Sequence, residues 1–179
     1  MLKKKSIFIL LIIILLLCFS IATCFRRSII TGQVIDAETG NPIANAVFYI
    51  YWYKVTGPPG LTSGENVETA DGYTDAEGYF KVPRYSTFIN HYIMAVYKKE
   101  YTCWRSDKIF PTWEDRNDFK PKNKMVIKLE KFKKEYSKER HAEFTTSADL
   151  AAGPSGVFTN EIKLERALLR KIYKRKRGE

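Results

Sequence analysis

From Ile29 onward the chain alternates apolar and polar positions with a period of two in short runs, and each run stops at a cluster of Gly, Pro, Asn or Asp. In residues 28–36, Ile30, Gly32 and Val34 fall on one side and Ile29, Thr31 and Ile35 on the other, which predicts a first strand covered on both faces. Asp36-Ala37-Glu38-Thr39-Gly40-Asn41-Pro42 then turns the chain, since Gly40 tolerates positive φ and Pro42 has no amide hydrogen for a ladder. Residues 46–55 form a second strand, with Ala46, Phe48, Ile50 and Trp52 on a core face and Val47, Tyr49, Tyr51 and Tyr53 on a tyrosine face.

Gly57-Pro58-Pro59-Gly60 with Ser63-Gly64 predicts a loop. Residues 67–74 and 79–82 are expected to form a hairpin around Asp75-Ala76-Glu77-Gly78, with the Asp75 carboxylate bonding turn amides and Gly78 left-handed. Residues 92–97 are another strand, and Met125, Ile127 and Leu129 alternate with Val126, Lys128 and Glu130 in a half-exposed one. Short strands separated by turn signals favour an all-β antiparallel sandwich over folds with crossover helices.

Two stretches break this pattern. Residues 101–124 carry Trp104, Phe110, Trp113 and Phe119 among prolines and mixed charges without a period, an irregular excursion that either hosts a binding site or plugs one end of the sandwich. After Phe132 the chain turns charged. Residues 133–144 are helix-permissive, the run Ala151-Ala152-Gly153-Pro154-Ser155-Gly156 breaks the helix, and Thr159 or Asn160 would cap a last helix over 159–176. On that helix Ile162, Leu164, Leu168, Leu169, Ile172 and Tyr173 share one half of the circle, with Glu165 the one charge among them. Lys163, Arg166, Arg170, Lys171 and Lys174 fill the rest, a basic face suited to an acidic protein or anionic lipid, while the apolar face suits packing over the tyrosine stripe.

Residues 1–25 precede all of this as a targeting segment: Lys3, Lys4 and Lys5 lead into an apolar run from Ile7 to Phe25 interrupted by Ser20 and Thr23. Ile21-Ala22-Thr23-Cys24 resembles a bacterial lipobox, so Cys24 is a candidate lipidation site, the other reading being an uncleaved transmembrane anchor. Either one places the chain in the cell envelope, exported and membrane-anchored.

The remaining chemistry is sparse. His91 and His141 stand far apart and form no zinc set, and Asp71, Asp75 and Glu77 have turn spacing rather than that of a calcium loop, so no metal or cofactor is expected. Cys103 reads as a small buried hydrophobe. Tyr49, Tyr51, Tyr53, Trp104 and Trp113 are the candidate binding residues, either stacking on sugar rings or peptide side chains or covered by the chain itself. Net charge is +10, but residues 24–127 hold 13 basic and 12 acidic side chains against 14 and 8 in residues 128–179, so the excess lies in the tail and no nucleic-acid partner is implied.

Three motifs coincide: Gly32-Gln33-Val34-Ile35-Asp36 with Thr39-Gly40-Asn41-Pro42-Ile43, then Ala46, Phe48 and Ile50, then Thr74-Asp75-Ala76-Glu77-Gly78-Tyr79-Phe80. Together they resemble the carboxypeptidase regulatory-like family over residues 28–132. The resemblance implies a Greek-key, transthyretin-like β-sandwich of about seven strands, found on bacterial envelope proteins and generally not catalytic. Many members carry a Gly-Tyr pair after the strand matching residues 92–97, where this chain has Lys99-Glu100-Tyr101. The expected organisation is an N-terminal membrane segment at 1–25, the sandwich at 28–132 and a basic helical appendage at 133–179. The expected function is a non-catalytic envelope binding or assembly module. Its rivals are an accessory domain or small hydrolase using residues 101–124, and an immunity or secretion-system partner.

Overall fold

The computed structural model describes residues 28–58, 60–149 and 156–178; the expected membrane segment at 1–25, with Cys24, lies outside them. Seven strands, β1 Ile29–Asp36, β2 Val47–Thr56, β3 Ser63–Tyr73, β4 Tyr79–Pro83, β5 His91–Tyr97, β6 Trp104–Arg105 and β7 Met125–Leu129, form two sheets ordered β4-β1-β7 and β3-β2-β5-β6. Three helices follow: α1 Lys138–Asp149, α2 Val157–Glu161 and α3 Lys163–Arg177. Among the described residues no helix is long and apolar enough to cross a membrane.

The two sheets share one core. Ile30 and Val34 of β1, Phe80 and Val82 of β4, and Met125, Ile127 and Leu129 of β7 meet Phe48, Ile50, Trp52, Met94 and Val96 of the other sheet. Each set sits at alternate positions of its strand, so the period of two becomes a dry interface between sheets. In β1 this burial falls on one face, at Ile30, Gly32, Val34 and Asp36, and the opposite face stays half-exposed or open, against the expectation of cover on both.

β2 is buried on both faces as far as Ile50 because the helices form a third layer. Val47, Tyr49, Ala95, Tyr97 and Cys103 pack there against Phe144 and Ala148 of α1, Phe158 of α2 and Ile162. The helical segment is thus built into the body and does not trail from it.

Several expectations are corrected. The sandwich is not wholly antiparallel, since β7 runs parallel to β1 from Gly32 opposite Met125 to Asp36 opposite Leu129. The excursion causes this: it carries the chain from β6 across to the other sheet, and Asn123 Oδ1 accepts from Thr31 N–H and hydroxyl at 3.0 and 2.8 Å, fixing where β7 begins. Residues 67–74 and 79–82 are not a hairpin, because β3 and β4 belong to different sheets. Buried Thr74 enforces that corner, donating to Ile43 O at 2.7 Å and accepting from Ala46 N–H at 2.9 Å. The turn chemistry is as expected, with Asp75 Oδ1 accepting from Glu77 and Tyr79 N–H and Gly78 at φ 75°.

Ser63 and Gly64 lie within the ladder, opposite Thr56 and Val55, because the β2–β3 pairing runs past the bulge at Trp52 and Tyr53. The last helix is broken rather than continuous over 159–176, with Ile162 at ψ 17° between α2 and α3 and its side chain drawn into the core. Its cap is not Thr159 or Asn160. The first free amides of α2, at Val157 and Phe158, donate to Asp71 Oδ2 of β3 at 2.5 and 3.3 Å, while Thr159 turns inward to donate to Asp149 Oδ1 at 2.7 Å.

Candidate functional site

The tyrosine face of β2 divides into a covered and an open part. Tyr49 is fully buried beneath Phe158, ring centroids 5.6 Å apart. Tyr51 and Tyr53 lie half-buried farther along the strand, stacked at 5.3 Å, and His91 of β5 stacks on Tyr53 at 5.4 Å. Cross-strand pairing sets this up, because Tyr53 stands directly opposite His91 in the ladder. The result is a strip of three rings, its one exposed member being His91. Stacked in this way the rings turn their faces toward one another, so the strip offers a ligand mainly ring edges and polar atoms.

The excursion's rings are half-buried and pack on the body. Trp104 meets Phe119 edge-on at 4.8 Å and Trp113 meets Phe144 of α1 at 5.1 Å. Residues 107–116 double back on themselves through the Ile109–Glu114 and Arg116–Asp107 backbone bonds. Buried Arg105 ties them down, with both carboxylate oxygens of Asp107 accepting at 3.0 and 2.6 Å and Phe144 O accepting at 3.1 Å; Ser147 Oγ is a further partner.

Beside these rings lies an open groove of about 720 Å³ whose floor includes Trp104 and Phe119 and whose rim carries Lys120, Lys122, Lys124 and Lys128. Arg116 stacks over Trp104 at 5.1 Å, giving its Nε proton to Arg105 O at 2.8 Å. This is the body's own basic surface, one that the near-neutral count of residues 24–127 conceals.

On α3, Lys163, Arg170, Lys171 and Lys174 are exposed. Arg166 is not free: its guanidinium pairs with Asp149, whose side chain is wholly buried. Tyr173 donates to Glu143 at 3.0 Å and Lys176 to Glu139 at 2.7 Å, so polar pairs join α3 to α1. Of the apolar arc, Ile162 and Leu169 are buried while Leu164 is 69% exposed. Glu165, the charge inside that arc, accepts the Tyr97 hydroxyl proton.

Glu165, Tyr97 and His141 meet at a cleft of about 420 Å³ between the end of β5, Phe132, α1 and α3. Burial holds the Tyr97 phenol far above its ordinary range, and the Glu165 hydrogen bond adds to that. Burial also pushes the His141 imidazole down to about 4, so it is neutral at pH 7, with Nε2 accepting from Cys103 N–H at 2.9 Å. The buried Cys103 thiol is pushed up to about 12 by desolvation, which removes its nucleophilic form.

Asp36, at the start of the first turn, behaves in the opposite sense. Its carboxyl lies at about 2, held down first by the Thr39 N–H, with the Tyr101 hydroxyl and Glu38 N–H assisting. Among the described residues no group of three or more His, Cys, Asp or Glu is placed to hold a metal ion.

No protein-family model matches the chain, and no curated protein matches it. Among solved structures, a streptococcal ancillary pilin is similar at 13% identity and TM-score 0.30, over 59% of this chain and 30% of the pilin chain. The chain therefore spans less than a third of that protein, and at this level the likeness carries no argument.

Proposed function

We propose that this chain is a non-catalytic binding or assembly module of the cell envelope, held to a membrane by residues 1–25. The observation that carries the non-catalytic half is the use made of its perturbed groups. Asp36 is spent on the amides of its own turn, while His141 on the Cys103 amide and Tyr97 on Glu165 tie the helices to the sheet side of the body. Groups committed in this way position backbone and helices; a general acid or base must instead have its proton site open to substrate. The surfaces that remain are the Tyr51, Tyr53 and His91 strip and the basic groove, both suited to binding.

The membrane half rests on the apolar run from Ile7 to Phe25, which ends three residues before Ser28, the first residue of the described body. The carboxypeptidase regulatory-like, Greek-key reading of the sandwich belongs to the same proposal. It is supported by Glu100, which adopts φ 75° at the position where the family's glycine would stand.

Fractionation tests the tether. The full chain should stay with membranes through alkaline carbonate washing and leave them when residues 1–25 are deleted. Fatty-acid labelling lost in Cys24→Ala would identify the lipid form of the anchor. A full chain released by the wash would overturn the tether.

A further inference from the structure

We propose that one pole of the body, formed by the β4–β5 loop, the β2–β3 loop and residues 120–124, rests on the anionic bilayer that the N-terminal segment enters. The inference rests on the tether proposed above and adds an orientation and a contact surface. The strand registers define the pole. Ile29 at the start of β1 lies opposite Pro83 at the end of β4, and His91 at the start of β5 lies opposite Tyr53 near the end of β2. The loop from Arg84 to Asn90 bridges the two sheets there, and Arg84 N–H donates to Ser28 O at 2.9 Å. Ser28, Arg84, Thr87 and Pro121 line one cleft, so the chain's point of entry, this loop and the segment before β7 are neighbours.

Apolar exposure is concentrated at this end. Among the described residues ten large apolar side chains stand exposed, and five of them are here: Ile29, Val55, Leu61, Phe88 and Ile89. Phe88 is 95% exposed, the highest of the ten. Its loop is closed upon itself, with Asn90 N–H and Nδ2 both donating to Ser86 O and Phe88 N–H donating to Ser86 Oγ, and Asn90 buried beneath. A compact turn therefore presents Phe88 and Ile89 outward, where water is a poor solvent for them and the acyl boundary of a bilayer is a good one.

Charge at the same end suits an anionic headgroup layer. Lys54, Arg84, Lys120, Lys122 and Lys124 are all exposed there. Nearby carboxylates offset part of this: Glu65 lies opposite Lys54 and Asp118 faces Arg116 at 3.7 Å, while Glu68, which accepts from the neutral Tyr85 hydroxyl, keeps its charge, so Arg84, Lys120, Lys122 and Lys124 outnumber it. Exposed rings and alkyl groups set among cations, beside the point where a membrane segment joins, form the pattern of an interfacial contact.

The test places an indole at the tip and asks whether acyl chains reach it. Full-length Phe88→Trp and, as a control, Leu164→Trp at the cleft by the far end of β5 are reconstituted in vesicles containing phosphatidylglycerol, with and without brominated acyl chains. The emission of the parent protein is subtracted. The signal of the Phe88→Trp variant should fall about twofold with brominated lipid, as expected for a ring lying in the headgroup and acyl boundary, while that of the Leu164→Trp variant stays unchanged. An unquenched tip indole in protein that floats with the vesicles would overturn the contact and leave the tether standing. Quenching of the Leu164→Trp variant alone would assign the membrane to α3 instead. Equal quenching of the Phe88→Trp variant in purely zwitterionic vesicles would overturn the anionic preference, and protein that fails to float would overturn the tether and the contact together.

Discussion

Gly78→Ala should destabilise the body by about 2 to 5 kcal/mol, while Gly40→Ala should cost only about 1 to 2 kcal/mol. The two glycines share a backbone conformation, φ 75° and 74°, so the left-handed penalty for a Cβ is common to both. They differ in surroundings. A Cβ on Gly40 would meet nothing within 4 Å, whereas one on Gly78 would lie 2.5 Å from Val34 O, 3.2 Å from Ile43 N and 3.3 Å from Pro42 Cβ. Two of those atoms are backbone, and Gly78 O also accepts from Val34 N–H at 2.8 Å, so the turn cannot give way without breaking its bond to β1. Urea denaturation of both variants measures the difference. Equal losses would mean that the Asp75–Gly78 turn does not sit against β1.

Arg166→Met is expected to cost about 3 to 5 kcal/mol, a loss outside the range of surface ion pairs, which contribute roughly 0 to 1 kcal/mol. The reason is Asp149. Its side chain is wholly buried, receiving the Thr159 hydroxyl proton on one oxygen and the Arg166 guanidinium on the other. Removing the cation leaves a buried carboxylate with half its compensation. The methylene stem is retained in methionine, so lost packing contributes little. Combining Asp149→Asn with Arg166→Met should recover much of the loss, and the double-mutant cycle isolates the pair. A single-variant loss under about 1 kcal/mol would return Arg166 to a solvated basic face.

Local pattern reaches some of this and stops at identifiable points. The strands β1, β2, β5 and β7 and the turns at 36–42 and 75–78 are legible because alternation and turn chemistry are carried by neighbouring residues. Sheet membership is not. Nothing near Asp75 distinguishes a hairpin from a corner, and the deciding bonds run from Thr74 to Ile43 and Ala46, about thirty residues away along the chain. The parallel pairing of β7 likewise depends on Asn123 reaching Thr31.

The site shows the same division. The tyrosine face and the apolar arc of the last helix follow from periodicity, but Asp71 reads as one of a group of turn carboxylates with Asp75 and Glu77, whereas the fold places it in β3 with its carboxylate at the start of α2. Glu165, set among apolar neighbours, is the one local sign that something specific lies opposite, and its partner is Tyr97. The basic groove is hidden because residues 24–127 nearly balance in sum while Lys120, Lys122 and Lys124 cluster in space.

An amine reagent that cannot cross membranes, applied to spheroplasts expressing the full chain, tests most directly whether the body stands outside the cytoplasm. Lys54, Lys122, Lys163 and Lys171 are all exposed, so the folded body offers ample targets on several faces. For an exported, membrane-held module, labelling of intact spheroplasts should match that of lysed ones, with the labelled protein recovered in the membrane fraction. Labelling that occurs only after lysis would place the body in the cytoplasm and contradict the envelope function.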